Sequence, residues 1–199
     1  MRAVLCKQFG PPSMLVVEDL PSPVAASGEV VVEVKATALN FFDTLIIENK
    51  YQLKPQMPFS PGAEIAGEII QVGPDVSDFQ IGERVMAYVA WGGCREQEAV
   101  DAKKLVKIPD DIDFKIAAGL TVTYGTTLHA LKDRADLRAG ETLAVLGASG
   151  GVGQSAIELG KIMGARIIAA ASSDDKLEFC RSLGADDLVN YNSENLKTR

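Results

Sequence analysis

The sequence predicts an α/β protein: a β-rich domain followed by half of a doubly wound parallel sheet. Two observations lead there. The first is the stretch from Thr142 to Gly153, where a short apolar run, Leu143-Ala144-Val145-Leu146, flows into Gly147-Ala148-Ser149-Gly150-Gly151-Val152-Gly153. A strand that meets a glycine-rich turn and then a helix is half of a nucleotide-binding unit. The second is a change of hydrophobic period along the chain, from short alternating runs punctuated by Gly and Pro to apolar residues at helical spacing.

The elements follow in order. Ala3-Val4-Leu5 is strand-like, and Val30–Val34 alternates around Glu33 and Lys35. Ile65–Val72, Arg84–Val89, Cys94–Val100 and Leu105–Ile108 continue the β series. Gly73-Pro74-Asp75, Gly82-Glu83, Gly92-Gly93 and Pro109-Asp110 separate them, residue types that turns need for backbone reasons. Helical spacing takes over near residues 112 to 118, through Leu120, Tyr124, Leu128 and Leu131, which places the domains at 1–115 and 116–199. After the strand at 143–146, a helix carries Ala156, Ile157, Leu159, Gly160, Ile162 and Met163 and stops at Gly164 in the C′ position. Ile167–Ala171 is a buried parallel strand, Asp174–Leu183 a helix and Asp187–Tyr191 a third strand. This β-α-β-α-β series is half a Rossmann fold.

The turn carries the first chemistry. Gly150 and Gly153 let the backbone approach a pyrophosphate and pack helix on strand, and the helix start offers unpaired N–H groups. Ser149, Gly150, Gly151, Val152 and Gly153 are therefore candidate cofactor-binding residues. Ala148 replaces the first glycine of the fingerprint, a small cost where φ is not positive. At the tip of the second strand an NAD site would place an acidic residue for the ribose hydroxyl. Here the tip reads Ser172-Ser173 with Lys176 beyond, which suits a 2′-phosphate and favours NADPH, although Asp174 and Asp175 lie close. The plainer alternative is that the two serines cap the following helix and Lys176 is solvated. Gly147-Ala148-Ser149-Gly150-Gly151 also matches the G-x-S-x-G nucleophile elbow of hydrolases. A hydrolase of that fold needs its histidine downstream, and the single one, His129, lies upstream and reads as a packing residue.

Bulk composition narrows the class. The chain has 199 residues, 47% hydrophobic and 24% charged, as in ordinary globular proteins. A net charge of −7 with no basic cluster argues against nucleic acid and anionic membranes. No apolar stretch has the length of a membrane span or signal peptide. Cys6, Cys94 and Cys180 are too far apart to form a closely spaced zinc site, and free thiols suit a reducing compartment, with cytoplasm as the default.

Leu39-Asn40-Phe41-Phe42-Asp43-Thr44, Pro58-Phe59-Ser60-Pro61-Gly62-Ala63-Glu64, Gly82-Glu83-Arg84-Val85 and Gly140-Glu141 leading into the glycine loop carry a more specific resemblance. In their order the chain resembles the zinc-free quinone oxidoreductase family of the medium-chain dehydrogenase/reductase superfamily, a GroES-like β domain followed by a Rossmann domain. Zinc-dependent relatives carry Cys at the position of Asn40 and His at that of Ala63, and insert a four-cysteine lobe that this chain lacks. Ala144, Glu158 and Leu45 depart from the family's usual Leu, Gln and Tyr.

The resemblance implies NADPH-dependent hydride transfer to an electron-poor acceptor, a quinone or an α,β-unsaturated carbonyl, without zinc, in a cleft between the domains. It implies Asn40 where nicotinamide and acceptor meet, Tyr51 as a hydrogen-bond or proton donor, Thr126 against the nicotinamide and Tyr191 near the adenosine. Each has a plainer alternative: a helix cap for Asn40, a surface aromatic for Tyr51, an ordinary helix residue for Thr126 and a buried strand end for Tyr191. Glu64 and Asp43 are expected to order the cleft and not to transfer protons. The resemblance also implies more strands than the sequence contains. The expectation is a truncated product or fragment that dimerises, aggregates or is only marginally stable, with a non-catalytic nucleotide-binding or structural remnant as the alternative.

Overall fold

A computed structural model describes residues 1–195. The chain divides into two compact units, Met1–Thr121 and Val122–Arg199. The division falls beyond the sequence-based boundary at 115 because helix α2 (Phe114–Ala118) buries Ala117 and Ala118 against Ala66 and Ile108 of the first unit.

The first unit is built on a five-stranded antiparallel sheet. Its strands are β3 (Glu29–Ala38), β4 (Glu64–Val72), β5 (Arg84–Tyr88), β6 (Gln97–Asp101) and β7 (Leu105–Lys107), in the order β6-β3-β4-β5-β7. Val30, Val32, Ile65, Ile69, Val85 and Val100 form its core. Strand β3 runs four residues past the expected Val34, with register shifts at Val31/Val32 and Val34/Ala36. Opposite the second shift, a Cβ on Gly67 would lie 2.0 Å from the Glu33 carbonyl oxygen, so only glycine allows the strands to close there.

A hairpin of β1 (Arg2–Leu5) and β2 (Val16–Asp19) flanks the sheet. Strand β2 was not foreseen. Val16-Val17-Glu18-Asp19 is exposed at every position and has no alternation, so its ladder with β1 defines it, not burial. Helix α1 (Phe41–Ile47) packs Ile46 and Ile47 against Cys6 and Phe59.

The second unit opens with α3 (Thr123–Leu128), which widens into a π-helical stretch at His129–Arg134. Then follow β8 (Thr142–Leu146), α4 (Gly151–Ile162), β9 (Arg166–Ala171), α5 (Asp174–Ser182) and β10 (Asp187–Asn190). The strands are parallel in the order β10-β9-β8, the βαβαβ half-sheet read from the sequence. Val145, Ile157, Ile167, Ala169 and Cys180 fill its core. Gly164, at φ +81°, ends α4, and Ala165 N–H donates to the Gly160 carbonyl. Among the described residues no helix is long and apolar enough to cross a membrane.

Candidate functional site

Strand β8 delivers the chain to the glycine turn, where each glycine has its own physical reason. Gly147, at φ +63°, makes the left-handed turn that L side chains resist. Ala148 follows without a positive φ and is fully buried, its N–H donating to the Ala170 carbonyl, so alanine is tolerated there. Gly153 is buried, and a Cβ on it would lie 2.6 Å from the Ala148 carbonyl oxygen.

Gly150 and Gly151 differ. Neither has positive φ, and the nearest non-neighbour atoms to an added Cβ lie at 3.4 and 3.3 Å. Both are exposed; Gly150 has room for a Cβ, whereas a Cβ on Gly151 would crowd the Thr123 methyl. Gly151, Val152 and Gly153 form the first turn of α4, and no side chain caps it. Their N–H groups and the helix dipole suit the phosphates of a dinucleotide. Ser149 is half-buried in the turn, and Val152 is exposed beside it.

At the tip of β9, Lys176 Nζ donates to Ser172 Oγ at 3.0 Å. Ser173 occupies the N-cap position of α5, yet its side chain makes no capping hydrogen bond. Its hydroxyl is thus not consumed by the helix, and a Lys-Ser pair beside it fits a phosphate. Tyr191 lies beyond the end of β10 and is exposed, not buried as a strand end would be. Its N–H donates to the Ala171 carbonyl, which holds it beside the same tip.

Thr126 is exposed on α3. The neighbouring Thr127 is the buried one, its hydroxyl 2.7 Å from Ser155 Oγ, which also donates to the Val152 carbonyl at 2.9 Å. Tyr124 hydroxyl donates to Glu158 and adds a second tie between α3 and α4. These ties hold the start of α4 in place. Sequence reasoning passed over Thr127 and Ser155, whose only signal is two small hydroxyl residues on facing helices.

In the first unit, Asn40 is the N-cap of α1, and its backbone N–H donates to Asp43 Oδ2 at 2.7 Å. Capping leaves its side-chain amide another task. Asn40 Nδ2 donates to Glu64 Oε1 at 2.8 Å, while Thr121 Oγ1 donates to Glu64 Oε2 at 2.6 Å. Glu64 is 1% exposed, and as a carboxylate it can only accept, which determines which end of the Asn40 amide faces it. Burial pushes the Asp43 carboxyl up, while the N–H groups of Asn40 and Gly62 pull it back and Glu64 raises it again. Asn40 and Asp43 line an apolar cavity of about 220 Å³ with Val4, Leu15, Ile47 and Cys94. Tyr51 is not in its wall; its ring stacks on Phe42 at 5.5 Å, against the cluster around Ile46 and Phe59.

Burial, with a smaller contribution from Asp43, pushes the Cys94 thiol up to about 11. At pH 8 its thiolate fraction would be about 1 in 1,000, so alkylation by iodoacetamide is expected to run at least ~100-fold slower in the folded chain than in urea. Mass mapping of Cys94 over time checks this, and equal rates in the two states would contradict it. Among the described residues no three His, Cys, Asp or Glu side chains gather where they could hold a metal ion.

A β domain followed by a parallel βαβαβ unit with a glycine turn at its first crossover defines the class, a two-domain medium-chain dehydrogenase/reductase. Residues 26–129 match the family model of the alcohol dehydrogenase GroES-like domain, and residues 151–199 match that of the zinc-binding dehydrogenases. The chain belongs to the family of the alcohol dehydrogenase GroES-like domain, and the relatives it resembles are named quinone oxidoreductases. It is 39% identical to quinone oxidoreductase-like protein 2 of Bos taurus over 198 residues, 98% of this chain and 56% of that protein. Among solved structures it is similar to the quinone oxidoreductase of Thermus thermophilus, solved also in complex with NADPH, at 36% identity and TM-score 0.85 over 96% of this chain and 60% of that one. The Escherichia coli quinone oxidoreductase complexed with NADPH gives 29% identity and TM-score 0.90, covering 98% of this chain and 60% of that one. The chain spans about half the length of the curated relatives it matches.

Proposed function

We propose that this chain carries the cofactor-phosphate and acceptor-binding elements of a zinc-independent oxidoreductase that moves hydride from NADPH to a quinone or α,β-unsaturated carbonyl. The observation that carries the reading is the exposed Gly150 at an uncapped helix start, where the fold itself leaves room for a side chain. NADPH-bound relatives support the choice of cofactor. When bound, the nicotinamide supplies the hydride.

The chain's own residues would do the rest. The N–H groups of Gly151, Val152 and Gly153 hold pyrophosphate, with Ser149 beside them. Ser172, Ser173 and Lys176 hold the 2′-phosphate, Tyr191 lies against the adenosine and Thr126 against the nicotinamide. Asn40, its amide oriented by Glu64, donates a hydrogen bond to the oxygen on which negative charge develops. Tyr51 is the second donor in this reading. With Asn40 and Ala63 in place of metal-ligating types, no Lewis acid polarises the acceptor, so it must be intrinsically electron-poor. Free thiols and acidic charge fit a protein of the cytoplasm working on small molecules, as a homo-oligomer.

Titration of the 199-residue chain with NADPH and NADH, followed by nicotinamide fluorescence, tests the cofactor half. Saturable binding with NADPH favoured is expected, and no binding by a folded chain overturns it. Replacing Lys176 and Ser172 together by Ala should weaken NADPH about 10-fold, the size of one charge-assisted hydrogen bond, and leave NADH unchanged. Equal losses for both cofactors would remove the 2′-phosphate assignment.

A further inference from the structure

The tip of β9 holds opposed charges. Ser172, Ser173 and Lys176 suit a phosphate, yet Asp174 and Asp175 stand among them at the start of α5. A carboxylate beside a phosphate weakens its binding, so the direction in which these side chains are held matters to the site.

Asp174 is turned aside, and one residue holds it there. Asn190, at the end of β10, donates from Nδ2 to Asp174 Oδ1 at 2.8 Å. Its other end is occupied as well, because Asn190 Oδ1 accepts from the Asn192 N–H at 3.1 Å. A carboxylate only accepts and a backbone N–H only donates, so the two partners fix which end of the amide faces Asp174. Asparagine serves both at once, whereas an apolar residue would serve neither. Asn192 in turn gives its Nδ2 to the Ser172 carbonyl at 2.8 Å, and the Tyr191 N–H goes to the Ala171 carbonyl. The segment 190–192 thus straps the tip of β9 from the side of β10.

The result is a separation of charge around the helix start. Asp174 shares a depression between α5 and β10 with Leu177, Glu178 and Arg181, the i, i+3, i+4 and i+7 stripe of α5. Lys176, two residues on, falls on the other side of the helix and bonds Ser172 Oγ at 3.0 Å. Ser173 keeps its hydroxyl free of any capping bond. Asp175 is exposed to water, where its charge is screened.

We infer that Asn190 is a positioning residue for cofactor choice: by holding the Asp174 carboxylate on the β10 side, it leaves the side of Ser172 and Lys176 open to a 2′-phosphate. The inference rests on the 2′-phosphate reading above and adds to it a residue that sets the preference without touching the phosphate. Once released, the Asp174 carboxylate is free to swing toward Ser173, its neighbour in the chain, and the preference falls.

The probes are adenosine 2′,5′-bisphosphate and adenosine 5′-monophosphate, which differ only in the 2′-phosphate and need no hydride transfer. Their dissociation constants on the 199-residue chain, measured by calorimetry, give a selectivity for that phosphate. Asn190→Ala should lower the selectivity ~3-fold at about 0.01 M salt, and the loss should vanish near about 1 M, where charges are screened within roughly 3 Å. Asp174→Asn alone, its charge already turned aside, should change the selectivity less than ~2-fold. Asp174→Asn added to Asn190→Ala should restore it, because no charge is left to swing. A merely looser tip would keep its loss in salt and would not be rescued by Asp174→Asn, and either result overturns the inference. If Asn190→Ala fails to fold, Asn190→Ser takes its place, too short to reach Asp174 but able to accept from Asn192. The two readings fail distinguishably. A parent chain that binds the bisphosphate no better than the monophosphate removes the 2′-phosphate site and this inference with it; a parental preference that survives Asn190→Ala at low salt removes the inference alone.

Discussion

Gly153→Ala is expected to weaken NADPH binding at least ~30-fold, a loss of about 2 kcal/mol. The added Cβ would lie 2.6 Å from the Ala148 carbonyl oxygen and 2.7 Å from both its carbonyl carbon and its Cα. All three atoms are backbone, and Ala148 is itself fully buried and bonded to Ala170. None can step aside as a flexible side chain would. The first turn of α4 must therefore move off the turn that precedes it, and the N–H groups proposed to hold phosphate move with it. Overpacking of this kind costs about 1–3 kcal/mol, so a lower unfolding midpoint for the second unit should accompany the binding loss. Gly150→Ala is the control. Its nearest contact would be 3.4 Å and its φ is −79°, so stability should hold within ~0.5 kcal/mol while binding still falls. Fluorescence titration and urea unfolding of both variants check this. If Gly153→Ala binds NADPH as the parent does, the phosphate site lies elsewhere.

That contrast shows where the sequence was legible and where it was not. Glycines at 150 and 153 are visible in the sequence, but one is required by backbone contact and the other leaves room for a Cβ. Only the structure separates those reasons. The parallel half-sheet was readable because each of its elements carries its own period: the apolar run at 143–146, the helical spacing after Gly153, and Gly164 as the stop. Strand β2 was not readable because it buries no side chain and owes its existence to a partner strand. The same holds for the first unit's site. Asn40 and Glu64 were each noticeable by type and by the resemblance they carry. Their bond joins residues 24 positions apart, and Thr121 reaches the same carboxylate across 57. No local pattern encodes such a contact. The cavity is still less visible, since Val4, Leu15, Ile47 and Cys94 become one wall only after the hairpin, α1 and the approach to β6 have packed.

Glu64→Leu should cost about 3 kcal/mol of stability in the first unit. Glu64 opens β4 between Ala38 of β3 and Tyr88 of β5, so its side chain is held on a rigid sheet. A carboxylate buried to this degree is tolerable only when its oxygens are bonded, and here each accepts from a different side chain, Asn40 and Thr121. Leucine removes both acceptors at once. Each stranded donor costs about 1–3 kcal/mol, and the lower part of that range applies because Asn40 and Thr121 are only half-buried. Glu64→Gln separates charge from shape. Its carbonyl oxygen can accept from Asn40 while its amide donates to Thr121 Oγ1, so stability should stay within ~1 kcal/mol of the parent. What it loses is the acceptor-only character that orients the Asn40 amide. In nitrogen-proton NMR the Asn40 side-chain pair should be well dispersed in the parent, weakened in Glu64→Gln and collapsed toward exposed-amide positions in Glu64→Leu. A Glu64→Leu chain with parental stability would mean that the carboxylate does not hold this cluster. A Glu64→Gln chain with an unchanged Asn40 signal would mean that something other than Glu64 sets the amide's orientation.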